Sequence, residues 1–223
     1  MRFWRESDRT RMVRKQLKGR GLTDPRLLEA FAEVPREQFV PPSLKQWAHT
    51  DRPLGIECGQ TISQPYIVAL TVDKLGLQGP EKVLEIGTGS GYAAAILSRL
   101  AASVVSVERL PELAESARER LQKLGYHNVR VICADGTLGY APEAPYEAIA
   151  VAAGGPVVPE SLKEQLAMGG RLVIPVGDEE EQVLLRVTRQ SEDRYSQERL
   201  CRVRFVPLLG EEGWEVDQEP PQA

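Results

Sequence analysis

The chain has 223 residues, enough for one good-sized domain with a core that needs no staples, and its 28 basic and 32 acidic residues leave a formal charge of −4, which excludes a global basic field that would recruit nucleic acid. No apolar run approaches the roughly 18 residues of a membrane span, and the charged N-terminus lacks the apolar segment of a signal peptide. Cys58, Cys133 and Cys201 follow neither zinc-ligand nor C-x-x-C spacing, so buried, reduced thiols and a soluble cytoplasmic protein are expected, with no metal and no membrane or nucleic-acid partner.

The first twenty residues carry Arg2, Arg5, Arg9, Arg11, Arg14, Lys15, Lys18 and Arg20 against Glu6 and Asp8, a run that reads as a solvated helix face or, alternatively, a contact for an anionic partner. Helical periodicity spans about Thr10 to Phe39, with Met12, Val13 and Leu17 on one face and a break at Gly19 and Gly21. In the second segment Thr23 or Asp24 can cap, Pro25 suits the first turn, and Leu27, Leu28, Phe31 and Val34 repeat at helical spacing. Residues 35–62 are rich in Pro, Gly and polar residues and predict a long ordered loop, a feature that usually has a function. It leads into GQTISQPYIV, where Ser63 has no G-x-S-x-G elbow around it and the chain offers only His49 and His127 as histidine bases.

From there strands and helices alternate. The predicted strands are VLEI (83–86), VVSVE (104–108), VRVIC (129–133), YEAIAVAA (146–153) and RLVIPV (171–176), interleaved with helices around AAAILSRL, PELAESARERLQKL and SLKEQLAM. This order predicts an α/β fold with a doubly wound, mostly parallel sheet. VLLRVTR and RLCRVRFV then predict an antiparallel pair at one end of the sheet. The organisation expected is a single domain: an N-terminal helical and loop extension over 1–62, a cofactor-binding core over 63–177, and the strand pair with an acidic tail over 178–223.

The strand VLEI runs into GTGSGY, giving E-x-G-x-G-x-G from Glu85 through Gly87, Gly89 and Gly91. Glycines at a strand's carboxyl end let the backbone turn and approach a ligand, but a dinucleotide fingerprint requires a third glycine where Tyr92 stands. Glu108 closes the next strand about twenty residues on, where a carboxylate can accept both hydroxyls of a ribose. Asp135 ends the following one in CADG, placed to accept the exocyclic amine of adenine while Gly136 lets the ring approach; alone it would read as a loop cap. Three acids at three consecutive strand ends, one beside a glycine loop, point to S-adenosylmethionine. The segment after the fourth strand, VAAGGPVVP (151–159), has no acid, amide or aromatic, so the methyl acceptor must be nucleophilic already or be activated elsewhere.

GQTISQPYIVA, VLEIGTGSGYAAAIL, VERLPELAESARERL, GGRLVIPVG and VRFVPLLG, with VPREQFVPP and DRPLGI nearer the N-terminus, together resemble the protein-L-isoaspartate O-methyltransferase family from about Met12 to Gly210. Glu57, Cys58 and Ala134 depart from the family's usual residues. The resemblance implies a Rossmann-like methyltransferase that moves the methyl group of S-adenosylmethionine to the free α-carboxylate of L-isoaspartyl residues in damaged proteins and peptides, the ester then collapsing to a succinimide. Such an acceptor, with a pKa of about 4, is ionised at neutral pH and needs no general base. Ser63 is then expected to be catalytic, its hydroxyl holding the acceptor in line rather than bonding its own turn. The cofactor set expected is Thr61, Ile62, Glu85, Gly87, Thr88, Gly89, Ser90, Gly91, Glu108, Arg109, Asp135 and Gly136. Gln64, Val206, Pro207 and Leu208 join Ser63 on the substrate side, where VRFVPL could pair with an extended peptide through its backbone. A monomer is expected. A methyltransferase for another carboxylate, and a non-catalytic S-adenosylmethionine-binding module, are the alternatives.

Overall fold

The computed structural model describes residues 7–178 and 180–215. Arg2 and Arg5 of the basic run, and the tail beyond Glu215, lie outside them.

The chain opens with helix α1 (Asp8–Met12), capped by the Ser7 hydroxyl, which continues as a wider turn to Leu17 and a tight one to Arg20 before Gly21 ends it at φ 94°. Within the basic run, Arg9 pairs with Glu37 at 2.5 Å, Arg11 with Asp8 at 2.6 Å, and Arg20 with Asp51 at 3.1 Å. Arg9 and Arg20 thus brace the chain's own loop, while the Arg11 pair lies within α1. Helix α2 (Pro25–Glu33) starts as expected, with the Asp24 carboxylate accepting from Arg26 N and Pro25 at its first position. The loop that follows contains short helical turns and a small antiparallel pair, β1 (Leu54–Gly55) and β2 (Thr61–Ile62), before α3 (Pro65–Leu75).

The main sheet has seven strands in the order β5-β4-β3-β6-β7-β8-β9. Strands β3 (Lys82–Ile86), β4 (Ser103–Glu108), β5 (Val129–Cys133), β6 (Tyr146–Val151) and β7 (Leu166–Gly177) are parallel. β8 (Gln182–Ser191) and β9 (Arg194–Val203) extend it antiparallel at one edge. Helices α4 (Tyr92–Ser98), α5 (Pro111–Lys123) and α6 (Glu160–Glu164) complete the crossovers. The central strands are buried on both faces: Val83, Val104, Ala148 and Val173 belong to one apolar cluster, and their neighbours Leu84, Val105, Ile149 and Leu172 to the other. That two-residue alternation is why these segments read as continuous apolar runs.

The last crossover helix is shorter than SLKEQLAM predicts. Helix α6 stops at Glu164, and Leu166–Met168 already extend β7, where a register shift opposite Tyr146 and Ala148 accommodates Gly169 at φ 75°. Likewise Phe205 and Val206 lie beyond β9. Cys58 and Cys133 are exposed and Cys201 only partly buried, against the expectation of packed thiols, because Cys58 sits in a turn and Cys133 on edge strand β5. No described helix is long and apolar enough to cross a membrane.

Candidate active site

A cleft opens at the carboxyl ends of β3, β4 and β6, where the strand order reverses beside β3 and open α/β sheets bind ligands. Its floor is the turn after β3. Gly87 and Gly89 hold φ 90° and 52° there, conformations a side chain resists, so backbone rather than side chain faces the cleft. Gly136 lies against β3 so closely that an added Cβ would sit 2.5 Å from Ile86 Cγ2. Gly136→Val is therefore expected to push Ile86 into the cleft, lowering stability by about 1–3 kcal/mol and weakening S-adenosylhomocysteine binding, as read by thermal melting and calorimetric titration.

Two carboxylates set the electrostatics. Glu108 accepts from Gly89 N at 2.8 Å through one oxygen and from Leu110 N at 3.0 Å through the other, so it pins the glycine turn while facing the cleft. Each oxygen keeps a further lone pair for a ribose hydroxyl. Glu85 lies deeper. Its Oε2 accepts from Ser106 Oγ at 2.5 Å, Ser106 in turn contacts Thr88 Oγ1 at 2.5 Å, and its buried Oε1 has no partner. Burial first, and the neighbouring Glu108 charge, outweigh the Ser106 hydrogen bond and raise its pKa to about 8. An orphaned carboxylate oxygen at the base of a glycine-floored cleft, with a second carboxylate at the ribose position, suits a cationic adenosyl ligand. On this ground the residues fit S-adenosylmethionine.

Thr61, Ile62, Ser63, Thr88, Ser90, Arg109, Val206, Pro207 and Leu208 also line the cleft. Ser63 stands just after β2, half-buried. Its carbonyl accepts from Arg36 Nη2 at 2.8 Å, whereas its hydroxyl bonds to no described residue. A serine serving its own turn would use that hydroxyl locally.

Three expected residues do not line the cleft. Gly91 opens α4 at φ 87° and packs toward Leu121 and Ala117 of α5. Gln64 reaches away, its Nε2 donating to Asp51 O at 3.2 Å. Asp135 serves as a cap and tether: Oδ1 accepts from Thr137 N at 2.8 Å and Thr137 Oγ1 at 2.7 Å, and Oδ2 from Glu211 N at 2.8 Å. Glu211 belongs to the start of the acidic tail, which is described as far as residue 215. There Glu212 caps Ser161 N at 3.0 Å, and Trp214 Nε1 donates to Gly154 O at 3.0 Å.

The edge offered by VRFVPL is largely taken. Val206 O accepts from Gly154 N and Leu208 N donates to Gly154 O, both at 2.8 Å, while Leu208 O accepts from Trp214 N at 2.8 Å. The Gln182 carboxamide brackets Phe205 N and O. Open pairing with an extended peptide along this whole segment is thus blocked, because the backbone groups are already used. Gly154 and Gly155 explain the bland VAAGGPVVP segment: a Cβ on Gly154 would collide with Gln182 at 2.5 Å. His49 is no cleft base. It sits in the N-terminal loop 3.2 Å from Glu37, and burial holds its pKa below the usual histidine range.

Motif reading missed Tyr92, Ala93 and the α3 residues Ile67, Val68 and Thr71, all on the cleft wall. It also missed Arg36, whose only signal was an arginine between prolines in a loop too long to be idle.

Residues 7–213 match the family model described as Protein-L-isoaspartate(D-aspartate) O-methyltransferase (PCMT). The chain is 58% identical over 204 residues to protein-L-isoaspartate O-methyltransferase 2 of Pelobacter propionicus, covering 91% of each. It is 59% identical over 207 residues to the protein of the same name from Marinobacter nauticus, covering 92% of this chain and 94% of the relative. Among solved structures, one protein-L-isoaspartate O-methyltransferase superposes with a TM-score of 0.82 at 32% identity, over 92% of this chain and 67% of that one. A candidate protein-L-isoaspartate O-methyltransferase of Plasmodium falciparum, solved in complex with S-adenosyl-L-homocysteine, gives 0.79 at 25% identity over 92% and 99%.

Proposed function

The chain belongs to the protein-L-isoaspartate(D-aspartate) O-methyltransferase family, and on that premise we propose how its cleft methylates the free α-carboxylate of L-isoaspartyl residues in damaged proteins. When bound, S-adenosylmethionine supplies an electrophilic methyl group on a cationic sulfonium. Glu85 and Glu108 would hold it, with the Gly87–Gly89 backbone below and Thr61, Ile62, Thr88, Ser90, Arg109 and Gly136 around it.

The observation that carries the reading is Ser63, which lines the cleft and whose hydroxyl bonds to no described residue while its carbonyl accepts from Arg36. That hydroxyl donates to one oxygen of the acceptor carboxylate and aims the other. No residue has to take a proton, because the acceptor arrives ionised. Ile62, Ala152 and Leu208 keep the approach apolar, stripping water from a nucleophile that hydration would blunt. Orientation of this kind can contribute roughly 7–11 kcal/mol. The product ester leaves the cleft, and the amide nitrogen of the following residue attacks the ester carbonyl, expelling methanol and closing a succinimide unaided. We infer a single domain divided as 1–62, 63–177 and 178–223, and what supports it is that, among the described residues, Ser63, the glycine turn and Val206–Leu208 line one cleft.

The test is labelled methyl transfer from S-adenosylmethionine to an isoaspartyl peptide beside its aspartyl twin. Base-labile label on the isoaspartyl peptide alone is expected. Equal labelling of both, or transfer only to a free small acid, would overturn the reading.

A further inference from the structure

Arg36 is fully buried, at 0% exposure. A buried guanidinium is costly unless its donors are matched, and among the described residues no carboxylate matches this one: the nearby Glu37 pairs with Arg9 and His49. Its partners are two carbonyls and a ring, and its buried Nη1 has no hydrogen-bond partner. Nε donates to Ala48 O and Nη2 to Ser63 O, both at 2.8 Å, and the guanidinium carbon lies 4.7 Å from the centroid of the Tyr92 ring. Desolvation lowers its pKa, and the interaction with Tyr92 works against that.

The two ends of this bridge have different chemistry. Ser63 is the acceptor-side residue. Tyr92, 1% exposed, is the first residue of α4 directly after the glycine turn, and it lines the donor side of the cleft. Resting on the reading of Ser63 given above, we propose that Arg36 is a positioning residue that sets the separation of the acceptor serine from the methyl-donor turn. A planar fork fixes two carbonyls in one plane and stacks on a ring at once, which a lysine ammonium cannot do. The Ser63–Gln64 peptide is thereby held from behind, so the serine side chain is directed by a bond made on the far side of the backbone. A residue that merely glued the N-terminal segment to the core would act on stability alone.

A double-mutant cycle separates these roles, using Arg36→Lys, Ser63→Ala and the combined variant, assayed with saturating isoaspartyl peptide well below each melting temperature. Arg36→Lys is expected to lower kcat about tenfold or more while S-adenosylhomocysteine Kd stays within about threefold, and to cost less than about threefold once Ser63 is alanine. Equal losses in both backgrounds, or an unchanged kcat, would overturn the proposal. If Ser63→Ala alone is fully active, it is instead the reading of Ser63 that fails. Should Arg36→Lys not bind S-adenosylhomocysteine, the Ser63–Gln64 amide can be replaced by an ester through an α-hydroxy acid at position 64. This weakens the Ser63 carbonyl as an acceptor without emptying the core. A several-fold drop in kcat with intact S-adenosylhomocysteine binding supports the tether, and an unchanged kcat refutes it.

Discussion

Ser63→Ala should lower kcat on an isoaspartyl peptide about 10- to 100-fold, the kinetic equivalent of losing one hydrogen bond to a charged group, about 1.5–3 kcal/mol. Cofactor affinity should stay within about twofold. The asymmetry follows from where the residue's two polar groups point. The carbonyl, which shapes the loop, is held by Arg36 and is untouched by the substitution, whereas the hydroxyl bonds to no described residue and can serve only what enters the cleft. Ser63→Thr keeps the donor and should retain more activity than alanine. No histidine lines the cleft, so the loss should be the same at pH 6 and pH 8, unlike the removal of a partner of a titrating base. Stopped assays of kcat at both pH values, alongside calorimetric Kd for S-adenosylhomocysteine, check each part. A fully active alanine variant, or one whose defect lies wholly in cofactor Kd, would sink the positioning role.

What the sequence made legible follows how local each signal is. The glycine turn and Glu108 were readable because a strand, a turn and the next strand's end lie within about 25 residues, and spacing alone places them together. Asp135 shows the limit. Its motif position faces the cofactor side, but its oxygens are claimed by Thr137 and by Glu211, the latter 76 residues on. A sequence cannot reveal that competition. Gly91 failed for a related reason: glycine spacing does not say whether the small residue faces a ligand or, as here, Leu121 of a neighbouring helix. Helix α6 ended early because pairing of Leu166 with Tyr146 in the sheet overrode a helical pattern in SLKEQLAM. Arg36 was hidden because an arginine in a polar loop is ordinarily solvated, and only the folded loop encloses it.

Glu85→Gln should change how the protein responds to pH more than any other single substitution in the cleft. The carboxyl is buried, its Oε1 lacks a partner, and its folded pKa of about 8 stands well above the unfolded carboxylate value. Between about pH 4.5 and about 8 the native state keeps a proton that the unfolded chain has released, so unfolding releases a proton and ligand-free stability falls as pH rises through that window, by roughly a few kcal/mol. Glutamine removes the titration, and the melting temperature of Glu85→Gln should be flatter between pH 6 and pH 8 and higher than the parent's at pH 8. Cofactor binding carries the opposite sign. A cationic ligand beside Oε1 favours the ionised carboxylate, so S-adenosylmethionine should bind up to about tenfold tighter at pH 7 than at pH 6 and release about one proton on binding. Titrations at pH 7 in two buffers of different ionisation enthalpy read that proton directly. Heats independent of buffer in the parent would refute the assignment. A proton still released by Glu85→Gln would move it to another group.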